Sequence, residues 1–150
     1  MAAALQRRVS RAVEIAKSCD YAIRGLLYLA QQPNPFEPVL LREIAARANA
    51  PEAFMSKVFQ SLRASNLVVS HRGKRRGYSL AKQPSAISLY DIIVAVEGPS
   101  KVRSTLPSRH GSDLLASFHT VWAEIEEKVI EEMKATTLWT ILERRQNGRA

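Results

Sequence analysis

The apolar positions of this chain recur first at helical spacing, then in alternation, then at helical spacing again. "CDYAIRGLLYLAQQ" sets Ile23, Leu26, Leu27 and Ala30 on one helical face, with Ser18 or Asp20 placed to cap its start. "PNPFEP" ends that helix, because each proline removes a donor and restricts the residue before it. "VLLREIAARANA" predicts a short helix carrying Leu40, Leu41, Ile44 and Ala48 on one side, with a tight break at Asn49–Ala50. Pro51 then stands where proline is tolerated, in the first turn of the next helix. That helix, "PEAFMSKVFQSLRAS", has an apolar stripe of Phe54, Met55, Val58, Phe59 and Leu62. Its other face holds Glu52, Ala53, Ser56, Lys57, Gln60 and Arg63, which are small or hydrogen-bonding. Asn66 is suited to end it in a left-handed conformation.

Two short strands follow, "LVVSHR" and "GYSLA", around the tip "GKRR", where Gly73 and Gly77 ease the turn. "SLYDIIVAVEG" reads as a helix with a capping box of Ser88 and Asp91 and a stop at Gly98. Pro99–Gly111 is irregular in pattern. "SDLLASFHTVWAEIEEKVIEEMKA" places Leu114, Phe118, Val121, Trp122, Ile125, Val129 and Met133 on one stripe of a helix of about 23 residues. "TTLWTILERR" predicts a shorter helix behind it. The expected fold is mainly α with a small β-hairpin wing, a winged helix-turn-helix domain plus a long C-terminal dimerisation helix. The expected divisions are a basic extension at 1–12, the winged domain at 13–98, a linker or candidate sensor loop at 99–111, and the dimerisation and short C-terminal helices at 112–150.

Charge sharpens this picture. Of 150 residues, 46% are hydrophobic and 24% charged, and no apolar run approaches the roughly 20 residues of a membrane helix. The formal net charge is +8. Residues 1–80 hold 13 Lys/Arg against 5 Asp/Glu, whereas residues 81–150 hold 9 of each, so the whole excess lies in the first part. That asymmetry points to a polyanion, nucleic acid above all. The single cysteine, Cys19, excludes an intramolecular disulfide framework and a cysteine-only metal site, and it fits a reducing cytoplasm. The amino terminus is Arg-rich and lacks the apolar core of a secretory signal, as expected of a basic extension.

A helix of this kind fits the major groove, and its outward residues reach base edges. Those candidates are Glu52, Ala53, Ser56, Lys57 and Gln60. In the wing, Arg72, Lys74, Arg75 and Arg76 crowd one tip, with Tyr78 following. Their mutual repulsion is relieved by DNA phosphates. No paired acids, nucleophile triad, phosphate-binding glycine loop or metal set appears, so the chain does not read as an enzyme.

Three motifs carry a resemblance: "DYA" at Asp20–Ala22, "LV-S-RG---GY-L" from Leu67 to Leu80, and "I---D-I-AVEG" from Ile87 to Gly98. From about Val13 to Gly98 the chain resembles the Rrf2 family of winged helix-turn-helix regulators, with weaker similarity through the last helices. The resemblance implies a bacterial, cytoplasmic, homodimeric transcription factor, usually a repressor, which binds a roughly palindromic double-stranded operator and dimerises through its long helix. Cluster-binding members of the family carry three cysteines in the loop after "AVEG". Here that loop, "PSKVRSTLPSRHG", has none, and Asp20 with His110 cannot replace thiolates, so no cofactor is expected. The wing tip, glycine-rich in the family, is more basic here.

Cys19 lies at a helix start that can lower a thiol pKa, which makes it a candidate redox sensor, although it has no resolving partner in its own chain. An unidentified small-molecule or protein effector acting through 99–111 is also compatible with the pattern. His119 is expected to pack or to lie at the surface. Trp122 and Trp139 are expected to anchor a core or an interface, and the Glu124, Glu126, Glu127, Glu131 and Glu132 run to be a solvated face. The competing function is a protein-interaction module on the same fold that has lost operator reading and acts through a partner protein.

Overall fold

The computed structural model describes residues 16–99 and 113–148, with the side chains of Asp113 and Leu114 excepted. The extension at 1–12, the linker residues 100–111 with His110, and the side chain of Leu114 therefore lie outside the described residues. The elements run α1 (Lys17–Ala30), α2 (Leu41–Ala48), α3 (Glu52–Ala64), β1 (Val68–His71), β2 (Gly77–Leu80), a short 3-10 turn at Pro84–Ala86, α4 (Leu89–Glu97), α5 (Asp113–Ala135) and α6 (Leu138–Asn147). The described residues are thus mostly helical with one two-stranded antiparallel hairpin, a winged-helix fold.

Most helix boundaries follow the expected signals, although Pro51 stands at the N-cap of α3 and not in its first turn. Asn49 and Asn66 adopt left-handed φ values of 53° and 59°, ending α2 and turning the chain after α3. Ser88 and Asp91 form the capping box, each bonding the other's backbone amide. Neither Ser18 nor Asp20 caps α1, which starts one residue earlier than Ser18, after Ala16. The Ser18 hydroxyl instead donates to the Glu97 carboxylate at the end of α4. Asp20 turns along the helix to pair with Arg24, with Nη2 2.7 Å from Oδ2. A lone first turn left Asp20 free to choose the nearby cation, one helical turn on, over its own backbone.

Most of the buried apolar side chains among the described residues form one cluster. Ala22, Leu26 and Leu29 of α1, Ile44 and Ala48 of α2, Met55, Phe59 and Leu62 of α3, and Leu80 of β2 are all buried. α1 and α3 approach closely over Gly25, where a Cβ would lie 2.9 Å from Phe59 Cε2. Phe54 departs from its stripe: it is exposed and rests edge-to-face on Tyr21, with ring centroids 5.5 Å apart.

α6 does not lie behind α5; it joins the amino-terminal core through the fully buried Leu138. Backbone bonds from Leu138 N–H to the Ile87 carbonyl (3.0 Å) and from Leu89 N–H to the Thr136 carbonyl (2.8 Å) fix it there. α5 packs against α4, and Lys134 sits 4.7 Å above the Tyr90 ring at the far end of the pair.

Candidate nucleic-acid interface

The α3 side chains at Met55, Val58, Phe59 and Leu62 point into the core, which aims the opposite side of the helix outward. Ala53, Lys57 and Gln60 are exposed there, Ser56 is half-buried beside them, and Glu52 is exposed at the first turn. This is the arrangement of a recognition helix, with its polar side free and its apolar side locked by packing. A negative charge at Glu52 is favoured by the positive end of the helix dipole.

The wing is held in register by Val68↔Leu80, Val69↔Ser79, Ser70↔Tyr78 and His71↔Gly77. The buried Ser79 hydroxyl shares a 2.8 Å hydrogen bond with His71 Nε2 across the strands. Arg72, Lys74, Arg75 and Arg76 form the tip and are all exposed, and among the described residues none of them has an ion-pair partner. Gly73 supplies a φ of 93° within the tip.

Tyr78 stands at the root of the wing, not at its tip. Its backbone pairs with Val39 in both directions, at 2.9 and 2.8 Å, and its half-buried ring meets Phe59 edge-to-face at 5.1 Å. Val39 therefore acts as a third, one-residue strand tying the wing to the start of α2. Proline-rich flanks hid that bridge from the sequence pattern. Gly77 permits it: a Cβ there would lie 2.2 Å from the Val39 carbonyl oxygen. A cleft of about 400 Å³ results, bordered by Leu40, Leu41 and Arg42 of α2, Glu52 of α3, and Ser70, His71, Arg76, Gly77 and Tyr78 of the wing. The recognition helix and the wing thus open on one side of the domain. Arg42 was not among the sequence candidates; its position in the first turn of α2, facing a basic hairpin, was the only available signal.

Cys19 behaves oppositely to a sensor thiol. It is buried, and burial together with the Glu97 carboxylate pushes its thiol up to about 11 from the ordinary 9.0. A helix N-terminus would lower that value, but desolvation outweighs it here.

The long α5 stripe divides into two faces. Trp122 and Met133 are half-buried and turn toward the body together with His119, Glu126 and the buried Ile130. Trp122 Nε1 donates to Glu126 at 2.9 Å, so Glu126 is not part of a purely solvated acidic face. Leu115, Phe118, Val121, Ile125 and Val129 instead leave about half of their surface exposed. Ile130 and Leu115 were missed in the sequence because they flank the stripe by one position. Trp139 is 53% exposed, in a cleft between α1 and α6, and does not anchor the core.

An outward-facing helix following a helix-turn, with a cationic wing on the same side, defines a winged helix-turn-helix DNA-binding regulator. The chain belongs to the Rrf2 family: the family profile, described as an iron-dependent transcriptional regulator, matches residues 15–144. It is a transcriptional regulator and not an enzyme. An HTH-type transcriptional regulator of Synechocystis is 32% identical over 131 residues, covering 84% of this chain and 85% of that protein. The HTH-type transcriptional regulator CymR of Bacillus subtilis is 33% identical over 126 residues, covering 84% and 87%. The structure of CymR, the global cysteine regulator of that organism, superposes with a TM-score of 0.71 over 86% of this chain and 95% of the other. IscR of T. potens shares the fold at a TM-score of 0.72 and 24% identity, over 94% of both chains.

The residues present do not fit an iron–sulfur cluster. The only thiol is the buried, protonated Cys19, and no group of three or more His, Cys, Asp or Glu side chains converges among the described residues.

Proposed function

We propose that this chain is a cytoplasmic bacterial repressor that binds a roughly palindromic operator as a homodimer and works without an iron–sulfur cluster. The observation that carries it is the shared cleft: Glu52 of the recognition helix and Arg76 of the wing border the same opening, so one duplex can meet both. Ala53, Ser56, Lys57 and Gln60 then read base edges in the major groove, while Arg72, Lys74, Arg75 and Arg76 neutralise phosphates.

An apolar face on α5 supports the dimer. Leu115, Phe118, Val121, Ile125 and Val129 form an apolar face along one side of α5. A face of this size favours burial, and a two-fold partner presenting the same face covers it isologously. Two recognition helices would then meet half-sites one helical turn, or a multiple of it, apart. The cluster-free reading is supported by the sequence, whose one cysteine offers a single thiol where clusters normally use four ligands.

The test is a gel shift and footprint on the DNA upstream of the chain's own gene, with protein purified anaerobically. A two-fold symmetric footprint by colourless, iron-free protein supports the proposal. Absence of DNA binding would favour the interaction-module reading, and a reconstitutable visible absorption band at one cluster per chain would remove the cluster-free claim.

A further inference from the structure

We propose that the cleft between the wing root and the first turn of α2 seats a DNA backbone phosphate, with Arg42 as the cation opposite Arg76. This rests on the DNA-binding function proposed above and adds a contact to it. Arg42 and Arg76 come from different elements yet line one cleft of about 400 Å³, which is roomy for a phosphate group. Both are exposed, and among the described residues neither side chain makes a hydrogen bond or ion pair. Two guanidinium groups facing the same opening repel each other, and a phosphate between them reverses the sign of that interaction and accepts forked hydrogen bonds from each. The Val39–Tyr78 backbone pair fixes the distance between the two elements, so the seat is preformed.

The start of α2 adds a second attraction. No side chain caps it, so the cleft also meets the positive end of that helix. One group opposes the anion: Glu52 borders the cleft from α3. Its carboxylate pushes against a phosphate on any sequence, and that cost is offset where a base-edge donor such as a cytosine amino group meets it. Glu52 thereby converts a general phosphate seat into one that favours particular sites. A backbone phosphate is the occupant because the cleft opens between the recognition helix and the wing, where a duplex would lie.

The experiment measures binding of the full chain to a mixed-sequence duplex across a salt titration. Arg42→Gln should shrink the slope of log affinity against log salt by about 0.9 per chain, and Arg42→Lys, which keeps the charge, should restore most of it. Glu52→Gln should raise affinity for the mixed-sequence duplex. In a series of cognate operator duplexes with neutral methylphosphonate linkages at symmetry-related positions of the two half-sites, one such pair should weaken the unaltered protein and leave Arg42→Gln unaffected. A full salt slope in Arg42→Gln, with DNA binding otherwise intact, overturns the phosphate seat alone. Failure of the unaltered protein to bind any duplex overturns the DNA-binding function and the seat together.

Discussion

Replacing Gly77 with alanine tests whether the wing is held by its root. Gly77 has a φ of 138°, and the added Cβ would lie 2.2 Å from the Val39 carbonyl oxygen and 2.5 Å from its carbon. Contacts under 3.0 Å essentially do not occur, and these atoms belong to backbone that cannot rotate aside. Relief requires opening the Val39–Tyr78 pair, whose two bonds are 2.9 and 2.8 Å long. At about 1 kcal/mol net per bond, plus about 1–3 kcal/mol for an alanine in a glycine-favoured conformation, the cost is about 3–5 kcal/mol. A domain whose whole stability is about 5–15 kcal/mol should then melt about 10–15 °C lower. Gly73 provides the control: its φ of 93° is also unfavourable for alanine, but among the described residues nothing beyond its chain neighbours lies within 4 Å of its Cβ position. Gly73→Ala should therefore lose only the conformational part, about 1–3 kcal/mol. Thermal unfolding followed by circular dichroism, with duplex binding measured below the transition, checks both variants. If Gly77→Ala melts with the unaltered chain, or above Gly73→Ala, the wing is not anchored through Val39.

Other variants separate the remaining parts. Neutralising Lys74, Arg75 and Arg76 together should shrink the salt slope of DNA binding by up to about 2.7 per chain, on cognate and unrelated duplexes alike. Gln60→Ala should lose roughly 1–3 kcal/mol on the cognate site if Gln60 reads a base, with the salt slope unchanged; a loss confined to the slope would exchange the roles of helix and wing. Ile125→Glu, on the exposed face of α5, should yield monomers by light scattering that bind DNA poorly, and a monodisperse monomer from the unaltered chain would refute that assembly. Cys19 should resist alkylation near neutral pH until the chain unfolds. Because its folded pKa is raised from 9.0 to about 11, the stability it contributes is complete below about pH 9 and declines toward pH 11. Native protein labelled as fast as unfolded protein would contradict that burial.

The sequence made the local features legible. Capping residues, prolines and left-handed asparagines act over a few positions, so the Ser88–Asp91 box, Asn66 and the extent of α5 could be read from spacing alone. The wing tip was visible because so much like charge between glycines has few structural explanations. Features that depend on distant partners were hidden. A helical pattern shows that α5 has an apolar side, but only the position of α4 decides which part of it faces inward, and that placed Ile130 in the core and Phe118 outside. Phe54 fits its stripe by period and is pulled off it by Tyr21. Asp20 could cap or pair, and Arg24 one turn away settled the choice. Arg42 carries no motif, and its interest lies wholly in the wing that folds back toward it.

The placement of Leu138 bears on how the chain is made. It is fully buried among residues of the first four helices, and its backbone bonds to Ile87. During synthesis the helix-turn-helix and wing leave the ribosome first, yet their core lacks a wall until α6 has also emerged. Closing that core brings together segments separated by most of the chain, a slow step by loop-closure arguments. A nascent chain would therefore hold an incomplete DNA-binding unit until α6 had emerged, so that grip on DNA is coupled to the arrival of that helix.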